Sequence, residues 1–153
     1  MGIKDTLFGL AANIIIERPA KKQTYDELAE RLIEAGKQIE QKVTSTQDSP
    51  ANREQMRHII GIERWGQRRL RTTLGEPAVT DEYDSYAPSS NLTVAGLRKE
   101  WTATRAETVT LARSLGEINA TQMVPHNDFG PLTPRGWLVY LMQHATRESG
   151  RLK

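Results

Sequence analysis

The sequence predicts an all-α fold, a four-helix bundle with an additional short N-terminal helix. Apolar residues recur at three- and four-residue steps over four long segments, and helix-capping residues stand at their starts. No alternating strand of useful length lies between them, so a bundle is the economical architecture. A chain of 153 residues suffices for one core without covalent staples. We divide it into an N-terminal helical extension over residues 1–22 and the bundle over residues 23–153.

The extension is mostly apolar from Leu7 to Ile16, about half the length that spans a bilayer. Asp5, Glu17 and the missing small-residue cleavage pattern speak against a secretory signal. The reading is an amphipathic helix over residues 4–17 that docks on the domain or on a partner subunit. It stops before Pro19, because a proline pushes the preceding residue out of the helical region.

The first long helix opens with Thr24 as N-cap and Glu27 three residues on, a capping box, and carries Leu28, Leu32, Ala35, Ile39 and Val43 on one face. Asp48, Ser49 and Pro50 make a turn and a new start, with the proline in the first turn, where its missing donor does no harm. The second helix then runs to about Leu74, where Gly75 and Pro77 end it, with Met56, His58, Ile62, Trp65 and Arg69 facing inward. After Thr93, a third helix places Val94, Leu97, Trp101, Thr104, Thr108, Leu111 and Leu115 along a bundle seam. The fourth opens with Thr133 and Pro134, continues to the end of the chain, and presents the stripe Trp137, Leu141, His144, Glu148 and Leu152.

Two connections, 76–92 and 117–132, are longer than bundles need. Long loops in compact domains are often functional. For the acidic, tyrosine-bearing first loop, with Asp81, Tyr83, Asp84 and Tyr86, surface decoration is the commoner case.

Zero cysteines exclude a disulfide framework, a thiolate-held iron–sulfur cluster and a cysteine nucleophile, so a metal site must use His, Asp, Glu or water. No serine-histidine-acid signature, phosphate-binding glycine loop or nucleotide fingerprint is found. A formal charge of +2 with 26% charged residues describes an ordinary mixed surface, and no specific nucleic-acid partner is expected. The cluster Arg68, Arg69 and Arg71 could touch phosphates, but it reads as a solvated helix end with cations near the C-terminus. Glu63 and Arg64 read as members of weak surface ion pairs. His126 with Asp128 reads as a loop histidine in a turn shaped by Asn127 and Asp128, or as an outer ligand.

His144 and Glu148 stand one turn apart inside an apolar stripe. Burying an imidazole and a carboxylate costs free energy unless each is paired or bound to a metal. The residues alone leave two readings open, a hydrogen bond between the two side chains and a metal site.

The run His58-Ile-Ile-Gly-Ile-Glu-Arg-Trp65, together with Phe129-Gly-Pro-Leu-Thr-Pro-Arg-Gly-Trp137 leading into Leu141-Met-Gln-His144-Ala-Thr-Arg-Glu148-Ser-Gly-Arg-Leu152, resembles the DinB-like (YfiT-like) metalloenzyme superfamily. The resemblance covers roughly residues 24–153. It implies a four-helix bundle, often dimeric, with a divalent metal held by one histidine on the second helix and two on the fourth at i and i+4. Carried over by position, the metal set is His58, His144 and Glu148, with the glutamate standing where the third histidine would be. A two-histidine, one-carboxylate set leaves positions open for water and suits zinc, nickel or iron. The resemblance further implies a metal-dependent enzyme, a thiol-dependent transferase or a hydrolase, acting on a small molecule. The alternative is a metal-free helical interaction or dimerisation module. A cytoplasmic homodimer with no membrane partner completes the expectation.

Overall fold

The structure, a computed structural model, describes residues 2–153, and the side chain of Asp5 lies outside the described set. Four long helices form the bundle: α3 (Tyr25–Thr44), α4 (Pro50–Arg71), α5 (Val94–Glu117) and α6 (Pro134–Ser149). Each begins where the sequence places a cap. The hydroxyls of Thr24, Ser49, Thr93 and Thr133 accept from the backbone N–H of Glu27, Asn52, Gly96 and Gly136 at 3.1, 3.2, 3.2 and 2.9 Å, so each pairs a donor the helix itself leaves free. A short 3-10 turn, Thr72–Leu74, extends α4, and Gly75, at φ 103°, takes the left-handed conformation that ends it. α6 stops at Ser149, earlier than expected, although Leu152 beyond it is still buried.

The N-terminal segment departs from its expected end. α1 (Ile3–Ala11) continues through a π-helical turn, Ala12–Glu17, into α2 (Arg18–Lys21), so helix persists past Pro19. In an α-helix the Ile15 carbonyl would accept from residue 19, which as proline has no N–H. The wider π turn skips that bond, and the Ile15 carbonyl accepts instead from Gln143 Nε2 on α6 at 2.9 Å. Glu17 completes the attachment by accepting from the N–H and hydroxyl of Thr133 at 2.9 and 2.7 Å.

A small antiparallel hairpin, β1 (Val124–His126) with β2 (Gly130–Leu132), precedes α6 and pairs His126 opposite Gly130. Three-residue strands carry too little alternation to be seen in sequence.

The seam on α5 is buried at all seven positions, from Val94 to Leu115. Its polar members serve a buried network that includes Glu63, a residue whose sequence context reads as surface. Glu63 on α4 is 1% exposed and accepts from Arg105 Nε at 2.6 Å, Arg105 Nη2 at 3.2 Å and the Thr108 hydroxyl at 2.8 Å. Arg105 also donates to the Leu32 carbonyl on α3 at 3.0 Å, and Gln67 Nε2 donates to the Thr104 carbonyl and the Thr108 hydroxyl. The expected surface role of Glu63 is thus corrected. Its neighbour Arg64 does make a partly exposed pair, with Glu100. Gly36 admits this arrangement, since a Cβ there would lie 2.6 Å from Arg105 Cγ.

Removing one partner of a buried pair leaves an uncompensated charge, so Arg105→Met is expected to lower unfolding free energy by about 3–5 kcal/mol. Urea denaturation checks it. A loss under about 1 kcal/mol, the scale of an exposed pair, would show that the network does not stabilise the bundle.

Candidate metal centre

α4 and α6 lie against each other and bring His58, His144 and Glu148 together. One ligand atom from each residue falls within 4.8 Å of the other two. The imidazole rings stand 5.1 Å apart between centroids. His58 is half-buried, whereas His144 and Glu148 are buried. An ion bound at about 2.1 Å keeps two ligand atoms no more than about 4.2 Å apart, so the set closes with small side-chain movements.

The two ionisable groups of α6 are not bonded to each other among the described residues. Glu148 Oε2 accepts from Gln55 Nε2 at 3.0 Å, and Arg151 and Arg147 approach its two oxygens at 3.3 and 3.6 Å. Gln55 also donates to the Glu148 backbone carbonyl at 3.0 Å, pinning the end of α6 to α4. His144 Nδ1 is buried with no hydrogen-bond partner. A buried orphan of this kind calls for a ligand, water or ion.

The protonation states suit a cation. Burial holds the His144 imidazole down at about 4, with His58 adding to the effect and Glu148 opposing it. Burial pushes the Glu148 carboxyl up, but the Gln55 hydrogen bond, His144, Arg151 and Arg147 outweigh it, and the net shift is downward. Near neutral pH His144 is therefore a neutral imidazole and Glu148 an anion, the forms that ligate metals.

Aromatic rings wall the site. Tyr83, in a 3-10 turn (Tyr83–Tyr86) of the long connection, sits edge-on to His58 at 5.3 Å, and Tyr140 lies 5.9 Å from His144. The connection expected to be surface decoration is therefore packed on α4. Arg69 holds it there. Buried, as its place on the inward face of the second helix predicts and against the solvated-end reading of the arginine cluster, Arg69 donates to the carbonyls of Asp81 and Pro125 at 2.8 Å each and to Asn127 Oδ1 at 2.9 Å. Arg68 and Arg71 remain partly exposed and pair with Glu76 and Glu107.

His126 is not part of the ligand cluster. It lies on β1, buried among Trp65, Phe129, Trp137 and Tyr140 with ring centroids 4.5–5.2 Å away. Its Nδ1 accepts from the N–H of Asp128 and Phe129 at 3.0 and 3.3 Å, which puts the proton on Nε2. That nitrogen has no hydrogen-bond partner and faces aromatic rings. The expected turn is present, but its histidine is interior. Tyr140, four residues before His144, was legible as a neighbour on one helix face. Gln55 and Tyr83 carried no comparable signal, since their roles depend on elements meeting across the bundle.

A protein-family model described as the DinB superfamily matches residues 23–147. The chain belongs to the DinB superfamily. No curated protein and no solved structure matches it. Within this DinB protein the matched span holds α3 to α5 and most of α6, including His58 and His144, and ends one residue before Glu148.

Burial holds the His126 imidazole, like that of His144, down at about 4. Both lie below the ordinary histidine value of about 6.5, so the unfolded chain binds more protons and stability falls as pH drops from 6.5 toward 4. Metal-free protein should lose about 2 kcal/mol per histidine between pH 7 and pH 5. His126→Asn, which keeps an acceptor near Nδ1 and cannot charge, should remove its share of that slope. Denaturant unfolding at the two pH values checks both, and equal stability at pH 7 and 5 would contradict the assignment.

Proposed function

We propose that this DinB protein is a metal-dependent enzyme that binds a divalent ion, zinc, nickel or iron, on His58, His144 and Glu148. The observation that supports it most is the convergence of three ligand atoms around a buried imidazole whose Nδ1 has no other partner. Two imidazoles and a carboxylate are a donor set that leaves coordination positions open. A bound ion would supply Lewis acidity, lowering the pKa of a water or thiol at the open position.

The reaction class we assign is thiol-dependent transfer to a small molecule, with hydrolysis as the related use of the same site; the thiol reading comes from the superfamily. The chain's own residues have defined parts. Gln55 orients the Glu148 carboxylate and keeps its charge available by hydrogen bonding it. Burial keeps Tyr140 a neutral phenol well above its ordinary value, a donor at the wall of the site. Tyr83 and the segment around it shield one side of His58 from water.

Two features weigh on the metal-free alternative. The hydrogen bond between His144 and Glu148, the other reading of this pair, is not among those formed, and Glu148 is oriented by Gln55 from the other helix.

Untagged protein analysed for bound metal should carry a divalent ion, and His58→Ala should lose it with helical circular dichroism nearly unchanged. Calorimetric titration separates the role of Glu148. Glu148→Gln should weaken metal binding by roughly 10- to 100-fold or more, because the amide lacks the charge that compensates the cation, while Glu148→His should retain zinc. Unchanged affinity in Glu148→Gln would remove Glu148 from the ligand set. Metal-loaded protein mixed with low-molecular-weight thiols and an aryl halide should consume free thiol. Metal uptake without such turnover would retain the site and reject the transferase assignment.

A further inference from the structure

The N-terminal helix is apolar on two opposite sides, and the bundle uses one of them. Ala12, Ile16 and Ala20 are buried against the domain. Ile3, Leu7, Leu10, Ile14 and Ile15 point outward and are 83, 60, 55, 53 and 56% exposed. Five of the eight large apolar side chains that stand exposed among the described residues therefore gather on one short helix. Scattered apolar residues need no explanation, but a continuous stripe does.

We infer that this stripe is the interface of a homodimer, in which the N-terminal helices of two copies pair antiparallel about a two-fold axis between Leu7 and Leu10.

The spacing supports this occupant. Ile3, Leu7 and Leu10 follow steps of four and three residues along α1, the spacing of a helix pair that packs side chains of one helix between those of another, and Ile14, in the π turn that follows, stands exposed beyond them. The stripe is also self-complementary: under two-fold symmetry Leu7 meets Leu10 of the second copy and Ile3 meets Ile14, so both layers match in size. The flanking positions Lys4, Thr6, Ala11 and Asn13 set no like charges against each other along the seam. Lys4 is the single basic residue among them, far short of the lysine- and arginine-rich flank by which an amphipathic helix holds an anionic lipid surface. The five exposures together equal about three whole residues, on the order of 500 Å² a side and 1,000 Å² in the pair, the lower limit for a specific interface. The helix does not need the partner to hold its place, because Gln143 and Thr133 of the same chain already bind Ile15 and Glu17. The stripe lies outside the span matched by the DinB model, so it belongs to this chain's own extension.

The test is the mass of the full, untagged chain in solution across concentration, by sedimentation equilibrium. Wild type should sediment at twice the 17.2 kDa chain mass. The double variant Leu7→Glu, Leu10→Glu, at exposed positions, should keep its helical circular dichroism and raise the dimer Kd by roughly a hundredfold or more, since it sets unpaired carboxylates in the seam. A wild type monomeric at all concentrations would overturn the proposal. So would a dimer that the double variant leaves intact, which would put the interface elsewhere. Sedimentation of a monomeric wild type with phosphatidylglycerol vesicles would assign the stripe to lipid and overturn it equally. Orientation is tested with Leu7→Cys and Leu10→Cys in a chain that has no other cysteine. Antiparallel pairing predicts that a mixture of the two variants forms disulfide-linked dimers on mild oxidation faster than either alone, whereas faster linkage in the separate variants would overturn the arrangement.

Discussion

The bundle depends on one buried ion pair. Glu63 on α4 and Arg105 on α5 form it in a nearly dry interior, and Arg105 reaches on to the backbone of Leu32 on α3. Two charges are costly to bury, so the fold holds them by filling their hydrogen-bonding capacity with the Thr108 hydroxyl and the Leu32 carbonyl, and Gln67 holds Thr108 in turn. Apolar contacts tolerate sliding by a fraction of a turn; hydrogen bonds at 2.6–3.2 Å do not. The pair therefore sets the axial register of three helices. Trp101 strengthens that register by stacking on the Arg105 guanidinium at 4.5 Å and donating to the Gly36 carbonyl.

Register on α4 matters because His58 lies five residues before Glu63 on the same helix. With α4 held against α5, its opposite face meets α6. Gly66 lets the two approach closely, since a Cβ there would lie 2.5 Å from Leu141 Cδ2. The close approach of the two helices sets His58, two turns before Gly66, beside His144, three residues after Leu141. Gln55 ties the far end by bonding both the side chain and the carbonyl of Glu148. Metal-ready geometry thus follows from helix packing rather than from a loop.

The long connections are fastened by a second buried arginine. Arg69 gathers carbonyls from both of them, and Asp81 serves as the shared acceptor for Arg69, Trp65 and Asn127. Tyr83 is thereby brought to His58, and the hairpin brings His126 under Tyr140. The aromatic wall lowers the local dielectric, and this keeps the interior histidines neutral.

By itself the sequence determined the helices, their caps and the i, i+4 pairing of His144 with Glu148, because these depend on residues within one or two turns of each other. It also carried the superfamily motif that joins His58 to them. Only the tertiary structure decided which charged residues are interior. Glu63 and Arg105 have the same local surroundings as solvated residues, and nothing within a few positions reveals partners 42 and 73 residues away. The same holds for Gln55 and Tyr83, whose parts in the site arise from helices and loops meeting in space. The course of the N-terminal helix past Pro19 was likewise decided by a contact, because the Ile15 carbonyl that proline leaves without a donor is satisfied by Gln143, 128 residues on.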